Sequence, residues 1–270
     1  VIVTVVTPTL NGAAYIAECI DSVKRNHGPG YEVDHVIVDG GSTDGTVELA
    51  RKRGARVREG RDDGIFDAIN KGSFESKGDL LGFLGADDVM LDGALAAVTA
   101  AHRRRGRRWI VGGIRWIDDK GARLGELAAP PSWMTTRMHV CLGWNPIMHM
   151  STYITRDFFT ELGGFDKRFR DSGDYDLFAR ALARAPYERV ARPLTCFRRT
   201  GENNSAVHTA RTSAENRSVR SALGPRSEIE RMMWRAVLKA WMNGRNPGWM
   251  AAKFAGAAQY RLGLQKKAYF

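Results

Sequence analysis

Residues Asp79 to Asp88, Asp-Leu-Leu-Gly-Phe-Leu-Gly-Ala-Asp-Asp, constrain the fold more than any other stretch. Leu80, Leu81, Phe83 and Leu84 make a near-continuous apolar run, as a strand covered on both faces requires. Gly85 and Ala86 allow a tight turn, and Asp87 and Asp88 then stand at the strand's carboxyl end. In open α/β sheets that edge is where ligands bind. Two adjacent carboxylates repel each other, and a hard divalent ion such as Mg²⁺ or Mn²⁺ takes oxygen ligands of this kind. The same residues also read as an ordinary acidic cap before a helix starting near Leu91. Ten residues do not decide between the two.

The flanking pattern sets the architecture. Val1–Val6 reads as a β-branched strand and Thr7-Pro-Thr-Leu-Asn-Gly12 as turn chemistry. Ala13–Lys24 has helical spacing through Ile16, Ile20 and Val23. Val33–Val38 is a second strand, Thr46–Lys52 a helix, Ala55–Arg58 a third strand, and Gly64–Ser76 a helix leading into the acidic strand. Strands alternating with helices at this spacing predict an α/β fold with a mostly parallel, doubly wound sheet and helices on both faces. Leu91–Arg105 continues as a helix. After it come a strand over Trp109–Ile117, a hairpin turn at Asp118-Asp-Lys-Gly121 and an unassigned stretch over Ser132–His149. A strand over Ser151–Thr155, helices over Arg156–Leu162 and Asp174–Arg184, and a strand within Tyr187–Arg199 follow; Gly201–Ser213 reads as a polar loop.

Length and composition bound the rest. The 270 residues suffice for one large α/β domain or a domain with an appendage, and 43% hydrophobic content allows a full core. Cys19, Cys141 and Cys196 are odd in number and lack metal-ligand spacing, which favours a reducing compartment and argues against structural zinc. No apolar run is long enough to span a membrane, and no secretory leader is read at the amino terminus. The expected location is cytoplasmic, with peripheral attachment to the inner face of the membrane as an added option. A net charge of +11 suggests an acidic partner.

Three further segments carry chemistry. Asp39-Gly-Gly-Ser-Thr-Asp-Gly45 ends a strand, where glycines permit close backbone approach to a ligand and Asp39 could accept from a base or ribose. A tight turn with Ser42 or Asp44 capping a helix fits as well. The segment is neither a Walker loop nor a dinucleotide fingerprint. Within Arg61–Gly72, Asp63, Asp67, Asn70 and Lys71 fall opposite the apolar face of a helix. Asp171-Ser-Gly-Asp-Tyr-Asp176 opens a helix, where acids serve either as caps or as a general base over a nucleotide site.

Taken in order, these segments resemble the inverting family 2 glycosyltransferases with the GT-A fold of the nucleotide-diphospho-sugar transferases. The matching motifs are Thr7-Pro-Thr-Leu-Asn-Gly12, Val38-Asp-Gly-Gly-Ser-Thr-Asp-Gly-Thr46, Asp63-Gly-Ile-Phe-Asp-Ala-Ile-Asn-Lys-Gly72, Phe83-Leu-Gly-Ala-Asp-Asp88, and Gly163-Gly-Phe-Asp166 with Gly173-Asp-Tyr-Asp-Leu177. The resemblance covers about Val1–Arg199. It implies a donor site for a UDP, GDP or dTDP sugar built by Thr7, Pro8, Thr9, Asn11, Asp39, Asp67, Asn70, Lys71 and Asp87. It also implies Mn²⁺ or Mg²⁺ at Asp87 and Asp88, and Asp174 as catalytic base. His149 falls where related transferases often carry a His and is expected near the acceptor or diphosphate, with Asp171 and Arg199 on the same side. For a lone His, an ordinary partly buried residue is an equal expectation. Two positions depart from the family motif: Gly85 stands where Asp or Asn is common, and Gly173 where Glu precedes the base.

On this reading residues 1–223 form the catalytic domain, with 1–105 the donor half and 106–223 the acceptor half. Among the three acids of Asp171–Asp176, Asp171 is expected as a cap and Asp176 as a partner of the segment around Arg198 and Arg199. A nucleotidyltransferase is disfavoured because Thr7–Gly12 lacks a phosphate loop with a downstream base. A nucleic-acid binder would leave the acids at strand ends unexplained, so no nucleic-acid partner is expected. Residues 224–270 carry nine Lys or Arg and two Glu. Ile229, Met232, Met233, Val237, Ala240 and Trp241 follow helical spacing, with Arg231, Arg235 and Lys239 opposite and Trp234 and Trp249 adding interfacial aromatics. That pattern fits a helix on an anionic membrane, implying a lipid-linked or envelope glycan acceptor, and equally a helix packed on the catalytic domain or a homodimer contact.

Overall fold

The computed structural model describes residues 1–200, 208–224, 227–248 and 251. Nine strands form one sheet, in the order β3-β2-β1-β4-β8-β6-β9-β5, with β7 paired to β6. The strands are β1 (Ile2–Thr9), β2 (Glu32–Asp39), β3 (Arg56–Glu59), β4 (Leu80–Phe83), β5 (Val89–Met90), β6 (Trp109–Ile117), β7 (Arg123–Leu127), β8 (Thr152–Thr155) and β9 (Glu188–Arg198). The helices are α1 (Ile16–Lys24), α2 (Thr46–Lys52), α3 (Ile65–Phe74), α4 (Ala94–Arg105), α5 (Thr136–Leu142), α6 (Arg156–Glu161), α7 (Gly173–Arg184), α8 (Thr209–Leu223) and α9 (Glu228–Arg245).

The parallel sheet expected from the sequence is complete in the first half, where β3, β2, β1 and β4 run parallel. The second half is mixed. Strand β8 pairs antiparallel with both β4 and β6, whereas β6 and β9 are parallel. Helices cover both faces. Along β4, Leu81 and Phe83 join the cluster of Val6, Val38, Phe66, Ile69, Phe159 and Phe178, while Leu80 joins Val3, Val5, Val23, Leu95 and Val98. Alternate side chains thus enter two cores, which is why the run has no polar gap. All three cysteines are buried and free.

Several expectations are corrected. Thr7, Pro8 and Thr9 belong to β1, because Pro8 stands in register with Val38 and the ladder continues to Thr9. Two residues of β5 intervene between the acidic pair and α4, pairing with Thr195 and Cys196. The unassigned stretch holds α5, capped by the Thr135 hydroxyl, which accepts from the Met138 N–H. Of the segment read as a polar loop, Thr209–Ser213 opens α8; residues 201–207 lie outside the described residues.

Helix α9 does not present one apolar face. Leu238 is buried in the core with Leu142 of α5 and Met242 with Ile114, Leu127 and Met150, whereas Ile229, Met232, Met233 and Val237 are exposed. Arg235 and Lys239 border the exposed strip, so the expected separation of cations from that strip does not hold. Trp249 lies outside the described residues. Among the described residues no helix is long and apolar enough to cross a membrane.

Candidate active site

The carboxyl ends of β1, β2 and β4 meet at one edge of the sheet, and the loops leaving them are tied together. Asn11 holds the left-handed conformation, with φ 54°. Its N–H donates to the Ser42 hydroxyl at 2.8 Å and its side-chain oxygen accepts from the Thr43 N–H at 3.0 Å. Asp44 accepts from the Ala13 N–H, and the Thr46 hydroxyl from the Gly12 N–H. Asp39 is buried and folds the second loop, accepting from the N–H groups of Gly41 and Ser42 at 2.9 Å and from the Ser42 hydroxyl. Thr7 points into the core, with its hydroxyl 2.9 Å from His35 Nε2. Thr9 Oγ1 is buried without a hydrogen-bond partner at this edge.

The acidic pair follows in a turn closed by the Asp88 N–H donating to the Gly85 carbonyl. Gly85 is needed for close approach. A Cβ there would lie 2.8 Å from Asp88 Oδ2 and 2.9 Å from Asp87 Oδ1, so both carboxylates converge on the same small volume. Behind them lies Arg198, only 2% exposed. Its backbone N–H donates to Asp88 Oδ1 at 3.1 Å. Its guanidinium donates to the Asp87 carbonyl and to Glu18, and lies 4.9 Å from the Tyr15 ring centroid. Burial raises the pKa of Asp87, against the pull of Arg198 and His149; burial and the charge of Asp87 raise that of Asp88 well above the ordinary value. Carboxylates disfavoured in their charged form by burial and by each other are a candidate functional site.

Asp174 stands in the first turn of α7. Its Oδ2 lies 3.4 Å from His149 Nδ1, and its Oδ1 accepts from the Tyr175 N–H at 2.7 Å. Both side chains stay partly exposed, at 17% and 19%. His149 lies in a 3₁₀ turn before β8, within electrostatic reach of Asp87. Thus His149 stands within reach of both Asp174 and the acidic pair. At Gly173 the departure from the family motif has a local cause. A Cβ there would lie 2.6 Å from the Phe66 ring, so α7 and α3 pack too closely for a side chain.

The other two acids of that segment do not act as expected. Asp171 caps no helix among the described residues; its buried carboxylate is held by Arg211 of α8, through Nε at 2.6 Å and Nη2 at 2.8 Å. The start of α7 is closed instead by Glu215, whose carboxylate accepts from the N–H groups of Arg170, Asp171 and Ser172 at 2.8–2.9 Å. Asp176 pairs with Arg180 at 2.6 Å rather than with Arg198 or Arg199. Arg199 sits over Trp116, 5.2 Å from the ring centroid. Of the expected acceptor-side residues, only His149 contacts Asp174.

On α3, Asn70 does not turn to the loops. It clamps the backbone of Phe165, donating to its carbonyl at 2.8 Å and accepting from its N–H at 2.9 Å. Asp67 is bridged by Lys71 at 2.6 Å and Lys167 at 3.3 Å. Burial opposes its charge, but the bonds from Lys71, the Asp63 N–H and Lys167 prevail and lower its pKa to about 2. Lys71 also donates to the Arg61 carbonyl.

Sequence reasoning missed Glu215, Arg211 and Lys167, and gave Arg198 the wrong partner. Arg198 carried one signal, a basic doublet closing a strand. Glu215 and Arg211 carried none, since the start of their helix read as a loop.

Among the described residues no three His, Cys, Asp or Glu side chains surround a common point. The acidic pair nevertheless fits a hard cation. Its oxygens converge at Gly85, and a cation held there would offset the burial and mutual repulsion that disfavour their charged forms.

Residues 4–163 match the family described as glycosyl transferase family 2. The chain belongs to that family. It is therefore a glycosyltransferase, as its relatives are named. It is 30% identical over 187 residues to a PGL/p-HBAD biosynthesis glycosyltransferase of Mycobacterium tuberculosis, spanning 67% of this chain and 69% of the relative. An uncharacterized glycosyltransferase of Rickettsia felis is 27% identical, over 68% of this chain and 32% of its own. Among solved structures, residues 1–349 of S. aureus TarS in complex with UDP-GlcNAc superpose with a TM-score of 0.60 at 18% identity, covering 83% of this chain and 74% of that one. The chain spans 43% of the longer TarS structure. The mannosyltransferase PcManGT from Pyrobaculum calidifontis, in complex with GDP-Man and Mn²⁺, gives 0.58 at 19% identity over 98% of this chain and 81% of that one. These likenesses agree with a GT-A arrangement of the mixed sheet.

Proposed function

We propose that the chain transfers a sugar, with inversion, from a nucleotide-diphosphate sugar to a hydroxyl of a glycan or glycolipid acceptor. The observation that carries this reading is the contact of Asp174 with His149 beside the acidic pair. Asp174 is a partly exposed carboxylate at a helix start, and His149 fixes one of its oxygens. It takes the proton from the acceptor hydroxyl as the oxygen attacks the anomeric carbon from the side opposite the nucleotide. The bond to the diphosphate oxygen breaks, and the leaving group departs towards the edge formed by the β1, β2 and β4 loops. Asp87 and Asp88 are the residues that would hold Mn²⁺ or Mg²⁺; such an ion, when bound, supplies Lewis-acid neutralisation of diphosphate charge. The buried Thr9 hydroxyl and the backbone of the tied loops offer partners for the nucleoside. The GDP-Man and UDP-GlcNAc complexes of the structural neighbours support a nucleotide-sugar donor.

The test is a thermal-shift series with UDP, GDP and dTDP, each with and without Mn²⁺. A nucleotide at about 100 times its dissociation constant should add about 2.7 kcal/mol of stability. Stabilisation by one nucleotide in the presence of Mn²⁺ is the expected result. No shift with any of them contradicts the donor assignment.

A further inference from the structure

Among the described residues ten large apolar side chains are exposed, and seven of them sit on or beside α5, α8 and α9: Trp133, Trp144, Leu223, Ile229, Met232, Met233 and Val237. Scattered exposure is ordinary, but a contiguous apolar strip marks a contact surface. Four of the seven lie on α9 at positions 229, 232, 233 and 237, the spacing of a single helical face. Ile229 is 80% and Met232 66% exposed. The opposite face already packs into the fold, Leu238 in the core that holds Leu142 of α5 and Met242 with Ile114, Leu127 and Met150, so α9 has a second apolar face that the fold does not use.

Charge decides what fits there. Arg235 and Lys239 are exposed along the strip, and no acidic side chain pairs with either among the described residues. The two acids of the helix are engaged, Glu228 with Arg231 and Glu230 with Arg137. A second copy of this face would bring the same cations against these. The rest of the chain, residues 249–270, carries Lys253, Arg261, Lys266 and Lys267 and no acid, so its charge is also of the wrong sign. An anionic lipid surface takes both features, apolar side chains entering the acyl boundary and cations meeting headgroups.

We infer that the exposed face of α9 docks the protein onto anionic membranes. The inference stands on the surface itself and is independent of the proposed chemistry. Helix α5 packs against both α9 and α7, which carries Asp174, so docking through α9 brings the base helix near the bilayer.

The experiment is co-sedimentation of the full chain with vesicles of phosphatidylcholine alone and of equimolar phosphatidylcholine and phosphatidylglycerol. Binding to the anionic vesicles only, weakened by salt, is expected. Arg235→Glu with Lys239→Glu should weaken it at least about 30-fold, given the contribution of each basic residue at such a surface. Ile229→Ser with Met233→Ser should weaken it about tenfold or more. Both double variants should keep the wild-type melting temperature and nucleotide-sugar hydrolysis. Three results would overturn the inference. The wild type could stay in the supernatant with both vesicles. It could run as a dimer that Ile229→Ser/Met233→Ser converts to monomer, assigning the face to a second copy. Or that variant could melt several degrees lower without vesicles, assigning the face to the chain's own remaining residues.

Discussion

Asp87 and Asp88 show how burial changes what a residue type means. In sequence they read equally as a cap and as ligands. In the fold their oxygens converge at Gly85, and both are harder to ionise than free carboxylates. Asp87→Ala removes one of two repelling charges and leaves Asp88 bonded to the Arg198 N–H. The expected outcome is a folded protein whose nucleotide binding no longer depends on Mn²⁺. Calorimetric titration of nucleoside diphosphate with and without the ion checks it, and unchanged Mn²⁺ dependence would remove the pair from the metal assignment. Glu215 is the converse, a residue with no sequence signal that closes the start of α7. Glu215→Ala leaves three backbone donors without their carboxylate, at a cost of about 1–3 kcal/mol. For a domain of this size that is a fall of several degrees in Tm. A fall no larger than for an exposed substitution such as Asp92→Ala would show that the contact contributes little.

At the scale of elements, hydrophobic period and turn residues were enough for the first half. Helix α2 begins and ends at the residues its pattern marks, and β6 likewise, because each is bounded by glycine or charge on both sides. The failures are equally local. Pro8 read as a turn residue, yet it continues a parallel ladder as far as Thr9. Helices α5 and α8 lack a strong apolar stripe, and tertiary contacts with α7 decide them. For the same reason Asp174 and its acidic neighbours were legible as a cluster, while the partners of Asp174 and Asp171 were not: His149 before β8 and Arg211 of α8 are brought near only by the fold, whereas Asp176 pairs within α7 with Arg180. Helix α3 is tied across by Asp67, with Lys71 on its own helix and Lys167 beyond α6. The Asp67 pKa is lowered to about 2 from 3.8, so its bonds add stability above the ordinary value and lose it as pH falls through that window. Asp67→Asn should therefore flatten the acid limb of a Tm–pH profile between those two values. A wild-type slope retained in the variant would assign the acid loss to other groups.

In the whole molecule, the parallel half of the sheet presents loops tied by Asn11, Ser42 and Asp44, and the mixed half delivers His149 and Asp174 to the same edge. The two halves meet at the acidic pair, where Arg198 from β9 binds the turn after β4. That meeting is the central claim, since Asp174 can act as base only if both halves hold their positions around the donor. The direct measurement compares Asp174→Asn with wild type for nucleotide-sugar affinity by calorimetry and for release of nucleoside diphosphate during transfer or hydrolysis. Loss of a positioned general base costs about 10²–10⁴-fold in rate. The account predicts unchanged donor affinity and Tm with turnover reduced by that order, whereas near-normal turnover by Asp174→Asn would contradict it.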